Sequence, residues 1–285
     1  MEKLIKEKIS SLLSDEEEVL SVEQLGGMTN QNYLVKTTDK QYIVKFFGKG
    51  TEKLINRQNE KYNLELLEDL DLDVKNYLFD IESGIKVNEY IESAVTLDST
   101  SIKSKFEKIA PILQTIHASG KELRGEFAPF EEISKYESLI EGPIPYENYE
   151  AVRKDVFSLE KRLADLSVDR KSCHIDLVPE NFIESPQGRL YLIDWEYSSM
   201  NDPMWDLAAL FLESEFTKQE EDDFLSYYES DKTPVSREKI RIYKILQDTI
   251  WSLWTVYKEA QGADFGDYGI NRYQRAVEGL TYYGG

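Results

Sequence analysis

The sequence predicts an α+β protein, with a small antiparallel sheet in its N-terminal part and a larger, mostly helical C-terminal part. Strand-like runs dominate the first ninety residues, and helical spacing of apolar residues dominates after Ser93. The chain has 285 residues, of which 41% are hydrophobic. That is enough to form one large domain or two lobes that each bury a core.

The N-terminal part reads as a sheet with one main helix. Apolar residues at helical spacing predict a first helix over residues 1–14. The runs VLSVEQL, NYLVKT and QYIVKFF predict three strands, and TTDK joins the last two into a hairpin. A helix over residues 52–70 and two more strands, NYLFDI and GIKVNEYI, follow. We therefore expect an N-terminal lobe over residues 1–89.

The remaining residues, 90–285, are expected to form a larger, helical lobe. Two segments interrupt the helical pattern, HIDLVPEN and the short strand LYLID. The predicted helices cover residues 102–118, 147–166, 204–213, 218–229 and 236–260.

Charge and cysteine content limit the class of partner. The formal net charge is -20, which disfavours nucleic acid and anionic membranes and attracts a cationic small molecule. Cys173 is the single cysteine, and the segment MEKLIKEKISSLL lacks the long apolar core of a secretion signal, so we expect a cytoplasmic protein. The longest apolar runs are far shorter than the roughly 20 residues of a membrane span.

Three oxygen-bearing side chains around HIDLVPEN and LYLID predict phosphoryl transfer. Asp176 and Asn181 are separated by a loop that Pro179 enforces, and Asp194 ends the following strand. A carboxylate can orient an attacking hydroxyl and accept its proton, which suits Asp176. Carboxamide and carboxylate oxygens are suitable Mg²⁺ ligands, which suits Asn181 and Asp194. Taken singly, each of these residues is more typical of an ordinary turn.

A lysine within an apolar strand supports the same chemistry. Lys45 points to the face opposite Tyr42 and Val44, where an unpaired ammonium group would be costly to bury. Glu60 on the following helix is the expected partner, and this pair would hold Lys45 toward nucleotide phosphates. The alternative is a lysine that extends to solvent at a strand edge.

Together, HIDLVPEN, LIDWEY, DPMWDLA and VKF resemble the choline kinase and aminoglycoside phosphotransferase family, whose members are distant relatives of protein kinases. The resemblance covers the chain from about residue 20 to its end. It implies a protein-kinase-like, two-lobed fold, in which residues 1–89 bind the nucleotide and residues 90–285 form the catalytic and substrate-binding lobe. It also implies ATP as co-substrate and Mg²⁺ as cofactor. No arginine lies between His174 and Asp176, IDW replaces D-F-G, and A-P-E is missing, so protein substrates are not expected.

The resemblance also assigns residues around the nucleotide. The segment GGMTNQNY matches a loop that covers the phosphates in choline kinases, although a Gly-Gly pair alone indicates only a turn. The matching positions are Gly26, Gly27, Thr29, Asn30 and Tyr33. In NEYI, Glu89 and Ile91 would contact adenine, or they would simply end a strand. His174 and Asp206 are expected to hold the catalytic loop, whereas His117 has no evident partner.

Aromatic residues favour choline as the acceptor. Trp251 and Trp254 lie three apart on one predicted helix face, a pattern that by itself is usually core. The resemblance makes them, with Tyr268, part of an aromatic enclosure for a trimethylammonium group, which ring faces attract. Trp195, Glu196 and Tyr197 next to Asp194 are expected to join them.

The predicted function is therefore a choline kinase that yields phosphocholine and ADP. Kinases of ethanolamine or of an aminoglycoside remain alternatives within the enzymes. A non-catalytic pseudokinase that binds nucleotide or choline, and a helical adaptor, are alternatives from other classes.

Overall fold

The computed structural model describes residues 2–14, 16–26, 30–48 and 50–283 and is an α+β structure, as predicted. The chain divides into two compact units. The first unit comprises Met1–Asp98 and Glu180–Tyr197, and the second comprises Ser99–Pro179 and Ser198–Gly285. This division differs from the predicted boundary after residue 89.

A small sheet explains the difference in the boundary. It pairs β6 (Val95–Thr96) with β8 (Phe182–Glu184), and β8 with β9 (Leu190–Leu192). The Leu192 amide also donates to Leu72 O at 2.8 Å. Backbone pairing therefore joins this hairpin, which lies far along the chain, to the first unit.

The main sheet of the first unit is antiparallel and five-stranded, in the order β1-β2-β3-β5-β4. Its strands are β1 (Val19–Gln24), β2 (Gln31–Thr37), β3 (Gln41–Phe46), β4 (Asn76–Asp80) and β5 (Ile85–Glu89). On β3, Tyr42, Val44 and Phe46 are buried in a core that also contains Ile5 and Ile9 of α1 (Glu2–Ser10). Since side chains alternate along a strand, Lys45 lies on the other face, as predicted.

The main helix of this unit, α2, spans Arg57–Leu67 and is shorter than the predicted 52–70. The Asn56 side chain accepts hydrogen bonds from the amides of Gln58 and Asn59, which is a helix N-cap. The flanking residues form separate short 3₁₀ turns. The cap places Arg57 and Glu60 in the first turn of α2.

The second unit is mostly helical. Its helices are α3 (Phe106–His117), α4 (Pro129–Leu139), α5 (Tyr149–Asp165), α6 (Pro203–Glu213), α7 (Lys218–Tyr228), α8 (Arg237–Glu259) and α9 (Tyr268–Leu280). A two-stranded antiparallel sheet pairs β7 (Lys171–Cys173) with β10 (Ser199–Asn201). Five of these helices were predicted, whereas α4 and α9 were missed. Among the described residues, no helix combines the length and apolarity needed to cross a bilayer.

Helix α8 forms the centre of the second unit, and α9 packs closely against it. Buried residues continue around the whole circumference of α8. A Cβ atom on Gly269 of α9 would lie 2.8 Å from Thr255 Cγ2 and 2.7 Å from Tyr146 Oη. The absence of a side chain at Gly269 therefore permits this close helix contact.

We predict that Gly269→Ala lowers the free energy of unfolding. Alanine normally favours a helix by up to about 1 kcal/mol over glycine, but overpacking at this contact should cost about 1–3 kcal/mol. The measurement is urea unfolding followed by circular dichroism. Asn271→Ala, at an exposed position of the same helix, is the control and should be nearly neutral. A Gly269→Ala protein as stable as the wild type would contradict the close contact.

Candidate active site

In the first unit, a lysine and a carboxylate form a close ion pair. Lys45 Nζ lies 2.8 Å from Asp194 Oδ1, and both side chains are largely buried. Burial by itself would lower the pKa of Lys45, but the carboxylates of Asp194, Glu196 and Glu60 outweigh it and raise that pKa. Lys45 is therefore a buried, charged ammonium group beside a predicted magnesium ligand.

The predicted Lys45–Glu60 pair is wrong. Glu60 instead binds two other cations, with Arg57 Nη1 at 2.6 Å and Lys86 Nζ at 3.4 Å. Lys86 is the cross-strand neighbour of Lys45 and shares its face of the sheet. Since Arg57 lies one turn before Glu60 on α2, these nearer cations occupy its carboxylate.

The two predicted magnesium ligands lie at adjoining ends of the β8–β9 hairpin. Phe182 pairs with Leu192, and one position further the Ile193 amide donates to Asn181 O at 2.8 Å. Asn181 thus adjoins the residue that precedes Asp194. Their amide and carboxylate oxygens are hard donors of the kind Mg²⁺ prefers, so the residues present fit this ion.

Glu196 is held by two side chains of its own unit. Its Oε2 atom accepts hydrogen bonds from Arg57 Nη1 at 2.9 Å and from Asn30 Nδ2 at 3.1 Å. Asn30 in turn accepts a hydrogen bond from the Gly48 amide at 3.1 Å. Burial and the nearby Asp194 charge raise the pKa of Glu196, against the opposing charges of Lys45 and Arg57. Glu196, predicted to contact the substrate, is therefore committed to an internal network.

The neighbouring aromatic residues differ in exposure. Trp195 is only 1% exposed, and its indole N–H donates to Leu192 O at 2.8 Å. This burial argues against the predicted contact between Trp195 and a substrate. Tyr197 is half-buried, and a substrate contact for it remains a prediction.

Of the predicted nucleotide loop and adenine segment, only part is described. Gly27 and Thr29 lie outside the described residues. Glu89 ends β5, and its amide donates to Lys75 O at 2.8 Å. Ile91 follows the strand and is half-buried. Adenine contacts by Glu89 and Ile91 remain predictions.

In the second unit, Asp206 anchors the loop that carries Asp176. Its two carboxylate oxygens accept hydrogen bonds from the amides of His174 and Ile175, each at 2.8 Å. Ile175 has a φ of 77°, which is unfavourable for a β-branched residue, and Trp205 Nε1 donates to its carbonyl at 3.0 Å. Asp206 thus holds the loop through backbone hydrogen bonds, as predicted, and the loop backbone is strained at Ile175.

His117 has partners that the sequence did not reveal. Its two ring nitrogens lie 3.0 Å from Asp206 Oδ2 and 2.7 Å from the Tyr228 hydroxyl, and it is buried. Together with Cys173 Sγ, the His117 and Asp206 ligand atoms lie within 4.8 Å of one another. Because both Asp206 oxygens already accept loop amides, we interpret this cluster as a structural support for the loop.

The residues of the predicted aromatic enclosure lie on α8 and α9. Trp251 and Trp254 are 9% and 8% exposed, and Trp254 contacts Phe265 at a centroid distance of 4.9 Å. Burial raises the pKa of Tyr268 to about 12, with a small contribution from the Asp176 charge. A contact between Tyr268 and the acceptor remains a prediction.

Comparison with known proteins places this geometry in a family. The choline/ethanolamine kinase family model matches residues 22–243. Protein LicA of Haemophilus influenzae is 30% identical over 265 residues, which cover 89% of this chain and 78% of that protein. The crystal structure of choline kinase LicA from Streptococcus pneumoniae is 87% identical, with a TM-score of 0.95 over 99% of each chain.

A structure of LicA in complex with AMP is 88% identical, with a TM-score of 0.93, and the match covers 99% of this chain and 98% of that one. Solved aminoglycoside phosphotransferases, at 13% to 15% identity, share the fold. The predicted protein-kinase-like fold is thereby confirmed. Because the family model spans most of the sequence, the chain belongs to the choline/ethanolamine kinase family.

Proposed function

We propose that this protein is an ATP- and Mg²⁺-dependent choline kinase that acts in the cytoplasm, where ATP is supplied. The observation that carries the proposal is that the Asn181 backbone pairs with Ile193, next to Asp194, and that Lys45 binds the Asp194 carboxylate. The 87% identity to a solved choline kinase supports the choice of acceptor.

The reaction needs little covalent chemistry from the protein. The choline oxygen attacks the γ-phosphorus of ATP, the bond from that phosphorus to the β,γ-bridging oxygen breaks, and ADP leaves. Asp176 orients the choline hydroxyl and accepts its proton, which completes phosphocholine. Asp206 keeps the Asp176 loop in place through the amides of His174 and Ile175.

Side chains of the first unit serve the nucleotide and the metal. Asn181 and Asp194 would hold Mg²⁺, which neutralises phosphate charge when bound. Lys45 supplies a fixed positive charge for the phosphates, because its raised pKa keeps it protonated. By resemblance, Thr29 and Asn30 belong to the loop that covers the phosphates. Glu60 acts on Lys45 only through its charge, since its hydrogen bonds go to Arg57 and Lys86.

The acceptor is recognised in the second unit. Trp251, Trp254 and Tyr268 offer aromatic faces, which attract a quaternary ammonium group that cannot donate hydrogen bonds. Primary ammonium groups, as in ethanolamine or aminoglycosides, need acceptors for their N–H donors. We therefore place choline first among the possible alcohols.

The proposed function predicts a substrate order. In an assay of ADP release with ATP and MgCl₂, choline should give the largest kcat/KM, ethanolamine a smaller one, and kanamycin no release above background. An enzyme that prefers kanamycin would be an antibiotic kinase. Nucleotide binding without turnover of any alcohol would identify a pseudokinase.

A second prediction concerns the proton acceptor. Asp176→Asn should lower kcat for choline by about 100- to 10,000-fold, the usual contribution of a positioned general base. Binding of Mg²⁺ and ADP, followed as a rise in melting temperature, should persist. Asp165→Asn, at an exposed position at the end of α5, is the control and should retain full activity. Retained turnover in Asp176→Asn would remove Asp176 from the mechanism.

A third prediction separates cation recognition from packing at Trp254. Trp254→Leu removes an aromatic face worth about 0.5–2 kcal/mol, so the choline KM should rise about 2- to 30-fold. The control substrate is 3,3-dimethylbutan-1-ol, in which carbon replaces the quaternary nitrogen. Its KM should change little, as should the KM of ATP. An equal rise for both alcohols would mean that Trp254 only packs.

A further inference from the structure

The first unit contains a buried arginine that no step of the proposed reaction uses. Arg57 is only 8% exposed. Its Nη1 atom lies 2.6 Å from Glu60 Oε2 and 2.9 Å from Glu196 Oε2. One guanidinium group thus bridges α2 and the turn that follows Asp194.

The contacts of Arg57 suit an arginine rather than a lysine. Besides the two carboxylates, Nη2 donates to Thr51 Oγ1 at 3.2 Å. The guanidinium carbon lies 3.9 Å from the centroid of the Phe47 ring. A planar guanidinium group with several N–H donors can make these contacts at once. An ammonium group cannot both stack on the ring and donate to all three side chains.

Glu196 links this bridge to the metal ligand. It lies two positions after Asp194, within the short 3₁₀ turn Trp195–Tyr197. Asp194 itself has a φ of 68°, a strained conformation for a residue with a side chain. The two carboxylates repel each other. Within the described part of the chain, Arg57 and Asn30 donate hydrogen bonds to Glu196.

We propose that Arg57 is a positioning residue that holds Asp194 in place for Mg²⁺ by binding Glu196 and fixing it to α2. The inference rests on the proposed function for the identity of the metal. Without the guanidinium group, Glu196 would lose its link to α2, and the turn that follows Asp194 would be held less firmly. Supporting groups behind metal ligands typically change metal affinity about 10- to 100-fold when they are removed.

The primary experiment titrates MgCl₂ at fixed ADP and follows the rise in melting temperature. Arg57→Met keeps an unbranched stem on Phe47 but removes the hydrogen bonds and the charge. It should need about tenfold or more Mg²⁺ for half of the maximal rise. Arg57→Lys, which retains the charge, should show a smaller increase. In activity assays, Arg57→Met should require more Mg²⁺ than the wild type, whereas its choline KM should stay within about twofold of the wild-type value.

The control is a matched arginine in the second unit. Arg153 Nε lies 2.6 Å from Glu137 Oε1, and its guanidinium carbon lies 4.2 Å from the centroid of the Phe157 ring. Arg153→Met therefore removes the same kind of bridge without affecting Glu196. Its Mg²⁺ titration should match that of the wild type.

A double-mutant cycle tests the route through Glu196. Glu196→Gln alone should raise the Mg²⁺ requirement, and combining it with Arg57→Met should add little, because both changes remove one interaction. Independent, multiplicative effects would overturn the proposal, as would an unchanged Mg²⁺ requirement in Arg57→Met. If Arg57→Met does not fold, the same titration is made with Arg57→Lys and Glu196→Gln. An unchanged Mg²⁺ requirement in both variants would then overturn the proposal.

The readout also separates this inference from the proposed function. If wild-type protein binds Mg²⁺ and ADP but phosphorylates no alcohol, the proposed function fails. The Mg²⁺ titrations of the variants still decide whether Arg57 positions Asp194.

Discussion

The need to pair buried charges governs the first unit. Lys45 and Lys86 extend from neighbouring strands onto the same face of the sheet, where unpaired ammonium groups would be costly. Lys45 binds Asp194 and Lys86 binds Glu60. Arg57 then joins Glu60 to Glu196. Pairing these charges thus connects β3, β5, α2 and the turn after β9, which are far apart in sequence.

A comparable constraint operates on the loop of Asp176 in the second unit. Asp206 is completely buried, and its two oxygens accept hydrogen bonds from consecutive backbone amides. His117 and Trp205 add further hydrogen bonds to Asp206 and to Ile175 O. Rigid support of this kind keeps a strained backbone in one conformation, so that Asp176, the proposed proton acceptor, would need little reorganisation.

Local patterns predicted most of the fold. The alternation of apolar residues on β3 and their helical spacing along α8 are both visible in the sequence. Each pattern repeats several times along its element. Helix α9 was missed because Gly269 and Gly279 lower its helix propensity, and the sequence cannot show that these glycines allow close contact with neighbouring side chains. The contribution of β8 and β9 to the first unit was not predicted, because it depends on long-range pairing of β6 with β8.

By itself, the sequence determined the types and order of the candidate site residues: a lysine in a strand, an Asp–Asn loop and an aspartate at a strand end. These follow from residue chemistry and local spacing. Only the tertiary structure decided how the charges pair. It gave Lys45 the partner Asp194, assigned Glu60 to Arg57 and Lys86, and committed Glu196 to Arg57 and Asn30. The reason is physical: an ion pair depends on the distance between atoms after folding, and neither residue type nor spacing along the chain specifies that distance.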